Sequence, residues 1–140
     1  MSSTDPDGLT RQLVGLFAAV NRRYAREIEQ AAAAHRLTAL QAKALLAAER
    51  PVRMRAVADT VHAEPSNVTA IVDRLEERGL VERRPDPADR RVKLVAATGQ
   101  GREVTADLRR RMPFVNDPFT ALGTGEREQL LDMLQRLMAD

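Results

Sequence analysis

Two short stretches hold the residues whose types and spacing could read a polymer of nucleotides. The first is Ser66, Asn67, Thr69 and Ala70, early in an apolar-periodic segment. An Asn amide pairs with two positions on an adenine edge, Ser and Thr hydroxyls with several base edges, and a small methyl packs on a thymine methyl. The same residue types also start helices, so the second stretch decides between the readings. Residues 83–93 carry Arg83, Arg84, Arg90, Arg91 and Lys93 against Asp86 and Asp89, a net charge of +3. Arginine forks onto phosphates and base edges and suits the narrow, strongly negative minor groove of A/T-rich DNA.

The surrounding pattern supplies elements to hold both stretches. Leu9, Leu13, Leu16, Phe17, Val20, Tyr24 and Ile28 recur at steps of three and four, which predicts one helix of about 25 residues with an apolar stripe. A helix that long outreaches the core of a small domain and needs a partner surface. Residues 1–8 read as a polar start. Thr38 and Gln41 form a capping box opening a second helix that Pro51 ends. A third helix follows near Arg53 to Val61, with Met54, Val57 and Val61 on one side, and a fourth from Pro65 to about Arg78, burying Val68, Ile71, Val72 and Leu75. Pro65 suits a first helical position, and Gly79 a C-terminal cap. The period then switches to strands over 80–84 and 92–97, with a long charged turn at 85–91. Thr98, Gly99 and Gly101 mark a fifth helix; the two glycines lack the third glycine of a dinucleotide loop. Pro113 and Pro118 break that helix, and Thr124 caps a last one bearing Leu130, Leu134 and Leu137.

Two short helices joined by a tight turn, followed by a basic hairpin, describe a winged helix-turn-helix. The fourth helix fits a major groove about 12 Å wide, the third braces it across the backbone, and the hairpin is the wing. The fold expected is mainly α with a small β-hairpin wing, six helices in all. Residues 37–97 form the DNA-binding region, and residues 1–36 and 98–140 a helical dimerisation stem.

Composition narrows the alternatives. Hydrophobic residues at 44% and charged residues at 30% suit a soluble globular chain, while 3% aromatics argue against a sheet-rich sandwich. The absence of cysteine excludes disulfides, thiolate metal sites and thiol switches. His35 and His62 are far apart and read as structural, so no metal or cofactor is expected. No activated nucleophile or phosphate-cradling loop points to an enzyme. Asn67-Val-Thr69 matches a glycosylation acceptor by chance. No secretory leader or membrane span is expected, which points to the cytoplasm.

The run from Asn67 to Arg91 strongly resembles the MarR family of bacterial transcription regulators. The likeness lies in Val68-Thr69, in Val72-Asp73-Arg74-Leu75-Glu76, in Gly79-Leu80-Val81, and in the wing signature Asp89-Arg90-Arg91. Thr98-Gly-Gln-Gly-Arg102 resembles the start of the family's fifth helix, so the likeness spans nearly the whole chain. It implies a homodimer on a pseudo-palindromic duplex DNA operator, usually acting as a repressor. Many members release DNA when a small, often aromatic, anionic compound binds between the dimerisation and DNA-binding regions. It also implies that Asp89 orients Arg91 into the minor groove.

The residues expected at DNA are therefore Ser66, Asn67, Thr69, Ala70 and Arg74 on the reading helix, Arg83, Arg84, Asp89, Arg90 and Arg91 on the wing, and Arg53 and Arg55 at the backbone. Arg74 is equally suited to pairing within its own helix, and Arg83 and Arg84 to a solvated strand end. Leu13, Leu16, Val20, Leu130, Leu134 and Leu137 are expected at the dimer seam. Tyr24 is a candidate pocket residue. Pro113 and Pro118 depart from the family's long fifth helix. The rival reading is a winged-helix module for protein contact without operator binding; its basic tip argues against it.

Overall fold

The structure, a computed structural model, describes residues 6–139. Residues 1–5 of the expected polar start lie outside the described residues. Helix α1 (Pro6–Ala33) already opens at Pro6, and its 28 residues run for about 42 Å. From Asp7 to Glu27 none of its residues is buried; only Ile28, Ala31 and Ala32 enter the core. The chain then turns through Arg36 into α2 (Ala39–Ala47). Thr38 and Gln41 form the expected capping box, with bonds of 3.1 and 2.9 Å.

Helix α2 is apolar nearly all round, as an enclosed helix should be. It packs against α1, α3 (Met54–Val61), α4 (Pro65–Glu77) and α5 (Gly99–Arg110). Leu45, Val57, Val68, Val72, Leu75, Leu80, Val95, Leu108 and Met112 complete this core, each almost wholly enclosed. Pro65 is the first residue of α4. Gly79 adopts φ 73° just past its end, where a side chain would be strained, and Leu80 N–H closes the turn onto Leu75 O at 3.0 Å.

Three antiparallel strands follow the order β1 (Val52–Arg53), β3 (Asp89–Ala97), β2 (Val81–Asp86). The short β1, not foreseen from the sequence, pairs Val52 with Val95 and Arg53 with Leu94. It moves the start of α3 to Met54. The hairpin also corrects the expected long turn over 85–91: β2 runs to Asp86, β3 begins at Asp89, and only Pro87 and Ala88 lie between. Two features allow this. Asp86 Oδ1 accepts from Ala88 N at 2.9 Å, a side-chain turn closure. Pro85 sits on the edge strand beside a register shift, where its missing N–H is tolerated.

Pro113 and Pro118 act as expected. Helix α5 stops at Arg110, Pro113 opens the four-residue α6 (Pro113–Asn116), and Pro118 follows its end. This extra turn makes seven helices among the described residues instead of six. Glu27 of α1 caps α6, accepting from Val115 N at 2.8 Å and Phe114 N at 3.3 Å. Helix α7 (Thr124–Met138) is capped by Gly123, not Thr124: Glu126 Oε1 accepts from Gly123 N at 3.0 Å. No residue of α7 is buried. Among the described residues, no helix is long and apolar enough to cross a membrane.

Candidate nucleic-acid interface

The first turn of α4 exposes Ser66, Asn67, Thr69 and Ala70 together while Val68 and Val72 anchor the helix from behind. Ser66 and Asn67 spend no side-chain hydrogen bond within the described residues, so the Asn67 amide is free to donate and accept at once. Thr69 differs: its Oγ1 donates back to Pro65 O at 3.0 Å. Its hydroxyl proton is committed to the helix, leaving the oxygen to accept and the methyl to make apolar contact. Glu64 precedes α4 without a side-chain cap, so the first amides keep the anion-seeking character of a helix start.

Arg74 is exposed and has no salt bridge, so the in-helix pairing weighed from the sequence does not form. Asp73 and Glu76, on the same helix, are both held by Arg83 of β2: Nη2 lies 2.6 Å from Asp73 and Nη1 2.5 Å from Glu76. Burial works against the Arg83 charge, but the hydrogen bonds and charges of these two carboxylates outweigh it and raise its pKa above the usual guanidinium value. Arg83 thus faces α4 and leaves little of its charge for a ligand. It fixes the wing base to the helix and offsets part of the negative charge of two acids that would repel phosphate.

The outer hairpin is arranged differently. Arg91 projects into solvent with 91% of its side chain exposed. Its backbone N–H and Nε donate to one oxygen of Asp89, at 3.1 and 3.2 Å. A residue that far out would otherwise sample many rotamers; the carboxylate restrains the base of its guanidinium and leaves the terminal nitrogens free. Arg90 and Lys93 are exposed without partners, and Arg84 lies 3.4 Å from Glu82. Arg53 faces Asp86 at 3.4 Å across the sheet, and Arg55 is exposed at the start of α3. Cationic side chains therefore border the reading helix on the α3 side and on the wing side.

The expected seam residues are also placed. Leu13, Leu16 and Val20 are 60%, 66% and 49% exposed, Leu137 is 73% exposed, and Leu130 and Leu134 are half-buried. Leu131, Met133 and Met138 are exposed on α7 as well; the helical spacing of Leu130, Leu134 and Leu137 passed over them. Tyr24 is exposed on α1, and Arg23 lies over the Phe114 ring at 4.0 Å, tying α1 to α6. His35 bonds Asp107 at 2.6 Å, and His62 closes α3 in a left-handed conformation.

Comparison with known proteins agrees with this arrangement. A profile of the MarR family matches residues 37–93. A MarR-family transcriptional regulator from Rhodococcus sp. RHA1 has a solved structure 31% identical in sequence, with a TM-score of 0.65 over 97% of this chain and 96% of that one. This chain belongs to the MarR family. CouR from Rhodococcus jostii RHA1, solved bound to p-coumaroyl-CoA, is also 31% identical, with a TM-score of 0.69 over 96% of this chain and 92% of that one. The Bacillus subtilis HTH-type transcriptional regulator YdgJ is 33% identical over 78 residues, and the match spans about half of that relative, 48% of its length. The MarR profile covers α2 to the outer part of β3, the same segment that gathers the exposed polar turn of α4, the clamp at Arg83 and the exposed arginine near the hairpin tip.

Proposed function

We propose that this MarR-family chain is a homodimeric regulator of transcription that binds a pseudo-palindromic duplex DNA operator, one half-site per protomer. The first turn of α4 enters the major groove, where Ser66, Asn67, Thr69 and Ala70 meet base edges and Arg74 meets phosphate. The hairpin tip enters the flanking minor groove through Arg91, with Arg90 and Arg84 beside it. Arg53 and Arg55 contact the backbone. Arg83 braces the wing against α4 instead of touching DNA. Residues 37–97 are the reader; 1–36 and 98–140 are the stem that joins two copies.

The observation that carries this reading is the Asp89–Arg91 pair: a highly exposed cation, restrained at its base, near the tip of a hairpin that follows a helix with unspent polar groups. Repression, and release by a small aromatic, anionic compound, extend the same reading. The likeness to CouR, solved with p-coumaroyl-CoA, supports that class of effector.

The test is enrichment of duplexes from a random library, followed by affinity measured against salt. If the dimer neutralises about seven to eleven phosphates, log affinity falls with log salt at a slope of about −6 to −10. A chain that enriches no sequence, or binds with a flat salt response, would instead be the protein-contact module.

A further inference from the structure

The reader and the α1 stem meet at a side chain that the DNA reading does not use. Helix α1 ends in a turn closed by Leu37 N–H on Ala32 O at 2.9 Å and Arg36 N–H on Ala33 O at 3.0 Å. Arg36 takes the left-handed position at φ 56°, which glycine normally fills. The carbonyls of His35 and Arg36, in the turn just past the end of α1, are both held by one guanidinium. Arg78 Nη2 donates to His35 O at 2.8 Å, and Nη1 to Arg36 O at 2.9 Å. Arg78 is the residue that closes α4.

A cation just beyond the last turn of a helix lies near the negative end of its dipole. Two parallel bonds from a planar fork also fix direction, which the point charge of a lysine does not. The tail of the reading helix is therefore fastened to the tail of the stem helix. The same turn is held from a third element, since His35 Nε2 lies 2.6 Å from Asp107 of α5. Buried Val68, Val72 and Leu75 fix α4 in the core that Ile28, Ala31 and Ala32 of α1 also enter; the fork adds a directional tie between the two helix ends.

We propose that Arg78 is a positioning residue for operator recognition: by locking α4 to the end of α1, it sets the half-site spacing that the homodimer accepts. The inference rests on the proposed DNA-binding function. Half-sites about 34 Å apart need two reading helices at a fixed separation. Each reading helix is tied to α1 of the shared stem at this turn, so a small rotation there becomes a displacement at the DNA.

The experiment takes the duplex enriched by the wild-type chain and resynthesises it with the half-sites moved by one and two base pairs, and as a single half-site. Wild type should prefer one spacing. Arg78→Ala should remain dimeric by sedimentation, bind the single half-site as wild type does, and lose about tenfold in spacing preference. Arg78→Lys should lie between them, and serves if the alanine variant does not fold. The chain has no cysteine, so Ala56→Cys on α3 gives one spin label per protomer. Without DNA, Arg78→Ala should broaden the label-to-label distance distribution. An unchanged spacing profile with an unchanged distribution overturns the role of Arg78 and leaves operator binding intact. Failure of wild type to enrich any duplex overturns operator binding itself, and this role with it.

Discussion

Within residues 37–97, Leu45, Leu75 and Leu80 are enclosed almost completely, whereas Leu9, Leu13, Leu16 and Phe17 of α1 are each more than half exposed. The two regions have similar apolar side chains and opposite fates. Burying such a side chain is worth about 1.5–3 kcal/mol, so the reader gains its share within one chain while the stem forgoes most of it. Helix α7 repeats the pattern, with Leu131, Met133, Leu137 and Met138 open to solvent. The reader is a finished core. Helices α1 and α7 leave large apolar side chains exposed in number, which is the mark of an interaction surface; on the proposed function that surface is the dimer seam.

The most damaging way to separate the two regions is a charge on the open stem. Leu16→Asp should leave the reader folded, because Leu16 belongs to no part of its core, yet dissociate the dimer. Operator affinity should then fall by about 100-fold or more, since the second half-site is no longer bound intramolecularly. Sedimentation and operator titration check both halves, and circular dichroism checks the fold. An intact Leu16→Asp dimer removes that residue from the seam.

The complementary change strikes the place where α5 packs on the core of residues 37–97. A Cβ at Gly101 would lie 2.0 Å from Leu80 O, whereas one at Gly99 would meet nothing within 4 Å. The start of α5 passes too close to the α4–β2 turn to admit a side chain, and the obstacle is backbone that cannot step aside. Gly101→Ala should cost about 2 kcal/mol or more in denaturant unfolding, while Gly99→Ala should stay within about 0.5 kcal/mol. Equal effects would mean that α5 does not pack as closely as described.

Within the reader, the wing offers a finer contrast. Arg83 is held between Asp73 and Glu76, and Arg91 projects freely from Asp89. Arg91→Ala should therefore leave stability within about 0.5 kcal/mol and weaken specific DNA binding by about 1–3 kcal/mol. Arg83→Ala should lower stability as well, by freeing two acids on the reading helix. If a titration of Arg91→Ala shows wild-type affinity, the minor groove is not its place.

Periodicity and turn chemistry made the helices legible, because Thr38, Pro65, Gly79 and Pro113 each act through local backbone geometry that a sequence displays directly. The wing's boundaries were less legible. The closure by Asp86 is local, to Ala88 N, but several residues of the 85–91 segment could have made such a turn. The pairing of β1 with β3 depends on contacts distant in sequence, and a two-residue strand leaves no period to find. The division of labour among the arginines was hidden for the same reason. Arg83 and Arg84 are neighbours in sequence, but only Arg83 reaches the helix carrying Asp73 and Glu76. Asp73 and Glu76 lie three residues apart on one helical face, a signal that could have suggested a shared cation. The fork from Arg78 to α1 spans more than 40 residues and has no local signature at all.

The smallest expected effect tests the joint between the two regions by pH. Asp107 accepts from Arg111 at 2.7 Å, His35 at 2.6 Å and Arg110 at 3.2 Å. The bond from Arg111, then that from His35, lowers its pKa from 3.8 to about 2 against the opposing effect of burial. A carboxyl depressed in the folded state stabilises that state above its unfolded pKa, and the benefit disappears as pH falls through the folded value. Asp107→Asn should therefore melt below wild type at neutral pH, with a gap that narrows from about pH 4 and closes near pH 2. A gap independent of pH would mean that the carboxylate acts through shape alone. A gap of the expected form would show that the ionised side chain of α5 helps hold the turn at the end of α1.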